Sequence, residues 1–239
     1  MMLKTQSVNY QDGDTLLEGF LAYDDAHPGP RPAVMISHAW GGRDAFACDQ
    51  AQRLAELGYV GFAMDMYGKG VTGSGPDENA ALMQPFLDDR SVLQGRMKKS
   101  LEVLQQLDQV DAVNIAAMGY CFGGLCVLDL ARTGVDIKGV VSFHGLFGAP
   151  GNTTGNRIKA RVLALHGHDD PMVPVDDVIA LEKELTDAGA DWQIHVYGNV
   201  MHAFTNPAAD DPGFGTVYNK TADTRSWQSL RGFLAELFD

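Results

Sequence analysis

Residues 119–124 read GYCFGG and directly follow the apolar run VNIAAM at residues 113–118. This segment has the pattern G-x-C-x-G, which is typical of a sharp strand-to-helix turn that holds a nucleophile at its corner. The flanking glycines are needed because the bent backbone leaves no room for side chains there. A thiol at a helix start is also activated, since the helix dipole favours its thiolate. The segment predicts Cys121 as a nucleophile and the Phe122 N–H as an oxyanion donor.

A buried cysteine that only fills the turn is the alternative for Cys121, because free cysteine is among the most buried residue types. Cys48 and Cys126 have no comparable setting and are predicted to pack. Three cysteines make no disulfide framework and fit a reducing compartment. The first residues contain no apolar segment typical of a secretory signal. We therefore expect a cytoplasmic protein.

Strands alternate with helices along the chain, which predicts an α/β fold with a mainly parallel, doubly wound sheet and helices on both faces. An antiparallel hairpin around residues 12–14 is expected to precede it. The predicted strands are RPAVMISH, YVGFAMDM, VNIAAMGY, KGVVSFHG, ARVLALHG and DWQIHVYG. Helices are predicted over 44–57, in stretches ending near 107, and over 123–132, 174–188 and 222–238. With no linker visible, residues 1–239 are predicted to form a single domain.

Ligands of such folds bind beyond the carboxyl ends of the strands, so the residues that follow each strand are candidates for chemistry. ARVLALHG leads into HGHDDPMVP, where either Asp169 or Asp170 is a candidate carboxylate. DWQIHVYG leads into NVMHAF, where His202 is a candidate base. The order nucleophile, acid, histidine is the order that this type of turn predicts. The segment HGHDD also has metal-ligand side chains, but no helix with metal-ligand spacing accompanies it, so no metal is predicted.

The loop after RPAVMIS reads His38-Ala39-Trp40-Gly41-Gly42. The Ala39 N–H is predicted as the second oxyanion donor, as in glycine-rich loops at this place. His38 either lines the pocket near Cys121 or caps the strand and loop through hydrogen bonds. The aromatic side chains of Trp40 in this loop, and of Tyr67 and Phe204 after other strands, either wall an apolar substrate pocket or belong to the core.

Charge limits the classes of partner. The formal net charge is −13, with 31 acidic and 18 basic side chains. An acidic chain lacks the Lys/Arg contacts on which binding to nucleic acid depends, and it is equally unsuited to an anionic membrane surface. No apolar stretch reaches the roughly 18 residues of a membrane span. We expect a small-molecule ligand, and no motif indicates an oligomeric state.

The segments GYCFGG, HGHDDPMVP, NVMHAF and GYVGFAMDMYGKG together resemble the dienelactone hydrolase family of α/β-hydrolases, from about Pro32 to the last helix. The cysteine in the turn makes the resemblance specific, because most α/β-hydrolases have serine there. The resemblance implies a triad of Cys121, Asp170 and His202. It favours Asp170 over Asp169 because His166, Gly167, Asp170, Val173 and Pro174 match the family pattern H-G-x-x-D-x-x-V-P.

The chain departs from the family pattern at positions that bear on substrate. Members of the family resemble one another in having a glutamate near the thiol, and His38 stands at that place. Arginines that hold a substrate carboxylate in the family are replaced by Lys69 and Asn206. Lys69 either contacts an acidic group in the substrate pocket or is a solvated side chain of its loop. Lysine lacks the bidentate fork of arginine, and asparagine has no charge. Without the glutamate, we expect the Cys121 thiol to be reactive before substrate binds.

The resemblance and the residues together predict a hydrolase that cleaves small carboxylic esters or lactones through a thiol, without a metal or organic cofactor. Two alternatives stay open. One is a protein of the same fold that binds a small ligand without turning it over, because fold does not imply function. The other is an acyltransferase that uses the same triad. Turnover of short-chain aryl esters and lactones separates catalysis from binding.

Overall fold

A computed structural model describes residues 2–238 of the chain. The chain divides into two compact units, of which the first ends at Met118 and the second begins at Gly119. The single domain predicted for residues 1–239 stays a prediction, and its two terminal residues lie outside the described part.

The first unit contains most of the antiparallel pairing. Its elements are β1 (Leu3–Asp12), β2 (Thr15–Asp24), β3 (Arg31–Ser37), α1 (Ala45–Glu56), β4 (Val60–Ala63), α2 (Pro76–Asp88), α3 (Arg90–Gln105) and the larger part of β5 (Val110–Tyr120). Strands β1 and β2 form the predicted hairpin, with Asp12 opposite Thr15 and Gly13 at a φ of 56° in the turn. Strand β4 lies between β2, which is antiparallel to it, and β3, which is parallel.

Helix α1 shows how local sequence sets an element. The Asp44 carboxylate accepts the Ala47 N–H at 3.0 Å and so caps the first turn. The helix ends at Glu56, and Gly58 follows at a φ of 92°, a conformation that glycine adopts without steric cost. A Cβ added to Gly61 in β4 would lie 2.2 Å from Ala51 O, so glycine allows the helix to pack closely on the strand. The predicted helix over 44–57 is confirmed to within a residue at each end.

The second unit is the parallel part of the chain. Its elements after the end of β5 are α4 (Phe122–Arg132), β6 (Gly139–Phe143), β7 (Arg161–Gly167), α5 (Val175–Asp187), β8 (Trp192–Tyr197), β9 (Asp210–Asp211), β10 (Thr216–Val217) and α6 (Lys220–Phe238). Strand β7 pairs in parallel with β6 on one side and β8 on the other. Every residue of β6 is buried, which is typical of a strand covered on both faces. The mainly parallel sheet predicted from the sequence is confirmed.

A buried ion-pair cluster ties three segments of the second unit together. The Arg132 side chain is 1% exposed, and it donates to Asp129 Oδ1 at 3.1 Å and to both carboxylate oxygens of Glu184. It also donates to the carbonyl oxygens of Phe147 and Gly148. The guanidinium therefore links α4, α5 and the loop that follows β6.

None of the helices within residues 2–238 has the length and apolarity that crossing a bilayer requires.

Candidate active site

Cys121 sits at the corner between β5 and α4. Its backbone has a φ of 56° and a ψ of −117°, which a residue with a Cβ rarely adopts. Such a conformation costs on the order of 1–3 kcal/mol and persists only where the surrounding structure imposes it. The Cys121 N–H donates to Phe143 O at 3.0 Å and so fixes the corner beside β6. The predicted strained turn is present, and the side chain of Cys121 is partly exposed.

The glycines of GYCFGG are required by close backbone contacts. A Cβ added to Gly119 would lie 2.0 Å from Gly123 O, and one added to Gly124 would lie 2.6 Å from the Cα of Gly145. Both distances are far below normal contact, so any side chain would force the turn to open. The sequence predicts glycine at these positions because the bent backbone leaves no room for side chains, and these distances agree with that explanation.

Helix α4 begins at Phe122, immediately after the cysteine. The positive end of the helix dipole therefore lies next to Cys121, where it favours a thiolate. The assignment of the Phe122 N–H as an oxyanion donor stays a prediction, as does that of Ala39, which lies in the first unit.

His202 and Asp170 form a buried hydrogen-bonded pair. The His202 Nδ1–H donates to Asp170 Oδ2 at 2.7 Å, and the two side chains are 2% and 0% exposed. The other Asp170 oxygen, Oδ1, accepts the Met172 N–H at 2.9 Å. Asp169, the other candidate carboxylate, is exposed. The geometry therefore places Asp170 rather than Asp169 on His202, which is the orientation that a base needs from its carboxylate.

The loop that carries His202 is held by the β9–β10 hairpin, which the sequence did not predict. The His202 N–H donates to Gly215 O, and the Val217 N–H donates to His202 O, both at 3.0 Å. The next residue, Ala203, has a φ of 56°, so the loop is strained. The two strands of the hairpin have only two residues each, too few to show a periodic pattern. The turn-rich stretch DPGFG at 211–215 was the available signal.

The pKa of His202 is raised to about 10. Burial alone would lower it, but the negative charge of the Cys121 thiolate and the hydrogen bond to Asp170 outweigh burial. Its Nε2 is buried without a hydrogen-bond partner of normal geometry within residues 2–238. The raised pKa favours the imidazolium form of His202 at neutral pH, and an imidazolium near a cysteine stabilises the thiolate form of that cysteine.

His38 is fixed by backbone hydrogen bonds within the first unit. Its Nδ1–H donates to Ala39 O at 2.6 Å, and its Nε2 accepts the Met66 N–H at 3.2 Å. Because Nε2 is an acceptor, the ring is neutral, and burial lowers its pKa accordingly. Of the two roles considered for His38, capping the strand and loop is the one these contacts display.

Three predicted pocket residues of the first unit have partners there. The Tyr67 hydroxyl donates to the carbonyl oxygen of Trp40 at 2.9 Å. The Lys69 ammonium lies 3.0 Å from both Glu18 Oε2 and Asn9 Oδ1. An ammonium paired in this way is a weaker ligand for a substrate carboxylate than an unpaired one. The assignment of these three residues to a substrate pocket stays a prediction.

Phe204 and Asn206 lie in the loop that carries His202. Phe204 is fully buried and packs edge-to-face on Tyr197, with ring centroids 5.5 Å apart. The Asn206 carbonyl oxygen, Oδ1, accepts the Ala208 N–H at 3.0 Å, which stabilises a turn. Phe204 thus contributes to the core of the second unit, and its role as a pocket wall stays a prediction.

The HGHDD segment does not gather its side chains into one cluster. His166 is buried against the Phe147 ring, whereas His168 and Asp169 are exposed. Within residues 2–238, no group of three or more His, Cys, Asp or Glu side chains has the arrangement of a metal site.

Sequence reasoning missed His144, which contacts His202. The two imidazole centroids are 5.0 Å apart and the rings meet edge-to-face. His144 directly follows β6, so the rule that chemistry lies at strand ends was sufficient to find it.

The chain belongs to the dienelactone hydrolase family, because a model of that family matches residues 17–238. The resemblance stated from the sequence is therefore confirmed, and the chain is a member of a hydrolase family.

Individual relatives cover the whole chain. The "Probable 2-oxo-3-(5-oxofuran-2-ylidene)propanoate lactonase" of Bradyrhizobium sp. is 28% identical over an alignment 250 residues long, which covers 98% of this chain and 96% of that protein. A dienelactone hydrolase-like promiscuous phosphotriesterase from metagenomic libraries is 35% identical, with a TM-score of 0.94 and full coverage of both chains. The structure called m3DLH is 34% identical with a TM-score of 0.95, also over both whole chains. The predicted α/β-hydrolase fold is confirmed.

Proposed function

We propose that the chain hydrolyses small carboxylic esters or lactones through Cys121, His202 and Asp170. The observation that carries the proposal is the buried His202–Asp170 pair, in which His202 Nδ1–H donates to Asp170 Oδ2 at 2.7 Å. The neighbouring Cys121 is among the groups that raise the pKa of His202. A cysteine in a strained turn at a helix start and a histidine oriented by a carboxylate are the parts that covalent thiol catalysis needs. Membership of a hydrolase family and a relative named as a lactonase support the proposal.

The reaction has two halves. In the first, the Cys121 thiolate attacks the carbonyl carbon, a C–S bond forms, and the carbonyl electron pair moves to oxygen, where the Phe122 N–H stabilises it. When the electron pair returns, the C–O bond breaks and His202 Nε2–H gives its proton to the leaving alkoxide. In the second, neutral His202 takes a proton from water, whose oxygen attacks the thioester, and the thiolate leaves. The balance is ester plus water to acid plus alcohol.

Asp170 contributes by orientation and charge. It fixes the proton of His202 on Nδ1, so that Nε2 is the nitrogen that exchanges protons with substrate. It also stabilises the imidazolium through both halves of the reaction.

A second candidate activity is the hydrolysis of phosphotriesters. It is favoured by the 35% identity to a promiscuous phosphotriesterase over the whole of both chains. The same thiolate would attack phosphorus, the P–O bond to the aryloxide would break, and His202 would give the aryloxide its proton. Water that loses a proton to neutral His202 would then cleave the S–P bond and release the thiolate. A substrate panel should therefore include aryl esters, lactones and an aryl phosphotriester, each measured by release of the aryl alcohol or by acid production.

Substitution of the nucleophile tests the proposal. Cys121→Ala is expected to abolish turnover of an activated aryl ester while the protein stays folded, because the glycines that shape the turn are unchanged. The wild-type chain should gain the mass of one acyl group on the peptide that contains GYCFGG. Cys48→Ala is the matched control, because burial raises the pKa of that thiol and makes it a poor nucleophile. Normal turnover by folded Cys121→Ala would exclude covalent catalysis at this residue.

The panel also separates the alternatives. A chain that only binds ligands turns over no member of it. An acyltransferase forms a new ester when a second alcohol is added, at the expense of free acid.

A further inference from the structure

His144 is a buried histidine that the proposed reaction does not use. It directly follows β6, it is 2% exposed, and its φ of 37° lies in the left-handed region. A residue other than glycine rarely adopts that conformation unless its surroundings impose it. Its backbone N–H is fixed by donation to Leu165 O at 2.8 Å. The strained backbone and this hydrogen bond thus fix the direction of the His144 side chain.

The His144 side chain points towards the loop that carries His202. The His144 ring packs edge-to-face on His202 and on Phe204, with centroid distances of 5.0 and 5.1 Å. Its Nε2 forms a hydrogen bond with Thr205 Oγ1 at 2.8 Å. The ring therefore contacts three of the four residues from 202 to 205. The fourth, Ala203, is the one with the positive φ.

We propose that His144 is a positioning residue for His202. Its ring contact and its bond to Thr205 hold the strained loop, so that His202 keeps Nδ1–H on Asp170 and presents Nε2 to the thiol. The effect on catalysis rests on the function proposed above, whereas the effect on the Cys121–His202 pair does not.

Core packing alone does not account for a histidine here. The His144 Nδ1 is buried without a hydrogen-bond partner within residues 2–238. An apolar aromatic ring would fill the same space without the cost of an unpaired buried nitrogen. What such a ring lacks is the bond to Thr205, which makes that bond the feature that distinguishes histidine at this position.

Charge is consistent with this role. Burial, together with the neighbouring charge of His202, keeps the pKa of His144 well below its ordinary value. A neutral His144 adds no repulsion to the His202 imidazolium, whereas a protonated one would. The other titratable groups around His202 in this unit are Cys121, Asp170 and His166. Burial also lowers the pKa of His166.

The test uses two variants that break the same bond from opposite sides. His144→Phe keeps a ring against His202 but loses the bond to Thr205. Thr205→Val removes the hydroxyl with little change in volume. His195→Phe is the matched control, since it removes another histidine–hydroxyl bond, 3.1 Å long, between β8 and Ser229. For each full-length variant we would measure kcat and KM for an activated ester, and the rate of Cys121 alkylation by iodoacetamide against pH.

We expect both variants of the bond to lower kcat about 10- to 100-fold with little change in KM, because a misplaced base is costly. The pH midpoint of Cys121 alkylation should shift upward towards the free-thiol value of ~8.5, because the imidazolium stabilises the thiolate less well. His195→Phe should change neither quantity. A merely structural role would reduce the folded fraction, measured by urea titration, without moving the midpoint of the folded protein.

The proposal is overturned if folded Thr205→Val has the wild-type midpoint and kcat. Thr205→Val alone decides the matter if His144→Phe does not fold. Failure of the proposed function looks different: the wild type then turns over no ester, while the alkylation midpoints still show whether His144 positions His202.

Discussion

Two adjacent aspartates differ completely in environment. Asp170 is buried with its carboxylate on His202 Nδ1 at 2.7 Å, whereas Asp169 is exposed. Asp170→Asn is expected to lower kcat by about 10³- to 10⁴-fold, because an amide can impose the wrong tautomer or orientation on the imidazole. Asp169→Asn, the same change one residue earlier, should cost little. Steady-state kinetics of the two variants with one aryl ester measures both effects.

The reverse ranking of the two variants would show that Asp169 is the catalytic carboxylate in solution.

The raised pKa of His202 also makes the stability of the fold depend on pH. The pKa of His202 is about 10 in the folded chain and near ~6.5 for a free imidazole, so its protonation stabilises the fold fully below ~6.5. That contribution is lost as pH rises through about 10. Asp170→Asn removes one cause of the raised pKa, so the loss of stability should begin at lower pH.

The choice between these aspartates marks a limit of sequence reasoning at the residue scale. Both follow β7 within three residues, and alternation along a strand does not fix side-chain direction once the chain turns. Only the family pattern selected Asp170. His38 shows the same limit, because its two hydrogen bonds to Ala39 O and Met66 N–H depend on the paths of two separate loops.

At the scale of elements, the strand-to-helix corner depends on close backbone contact. A Cβ on Gly119 would lie 2.0 Å from Gly123 O, so Gly119→Ala is expected to lower the free energy of unfolding by about 1–3 kcal/mol. Gly232→Ala is the matched control: this glycine lies exposed in α6 and an added Cβ meets nothing within 4 Å. It should raise stability by about 0.5–1 kcal/mol, since alanine is the better helix former.

Urea denaturation of the two variants measures these opposite effects. Equal stability of Gly119→Ala and the wild type would mean that the corner adjusts to a side chain. In that case the fold would not require glycine at position 119.

Most elements could be predicted because each has a signal within its own residues. Helix α1 has Asp44 before it and Gly58 after it, and β6 and β7 are short apolar runs bounded by polar residues. The strands of the hairpin β9–β10 have no such signal, because they pair over two residues each, and only the turn-rich stretch at 211–215 indicates a chain reversal. Its role, holding both backbone groups of His202, arises from tertiary contact. No local pattern encodes a contact of that kind.

At the scale of the whole molecule, acidic residues outnumber basic ones by 31 to 18, so basic groups have many possible partners. In the first unit, Arg43 and Lys69 both pair with Glu18. In the second, Arg132 pairs with Asp129 and Glu184. The sequence shows the excess of acid, but which carboxylates meet which cations depends on residues far apart in the chain, such as Asp12 and Arg96, which are 84 positions apart.

The Arg132 cluster also bears on the candidate active site. Its guanidinium holds the carbonyl oxygens of Phe147 and Gly148, three and four residues after His144. The loop that begins with the proposed positioning residue is thus tied to α4 and α5. Loss of the cluster should therefore lower the stability of the second unit.

Arg132→Met is expected to lower the free energy of unfolding by about 3–5 kcal/mol, because it leaves the buried Asp129 without the opposing charge of Arg132. Lys183→Met is the matched control on the same helix as Glu184, since its pair with Asp187 is exposed, and it should cost no more than about 1 kcal/mol. Urea titration of the intact chain measures both. The double variant Arg132→Met with Asp129→Leu should recover part of the loss, because it removes the uncompensated charge as well as the cation. If the single variant unfolds at the wild-type urea concentration, the cluster adds no net stability and some other contact anchors the loop after β6.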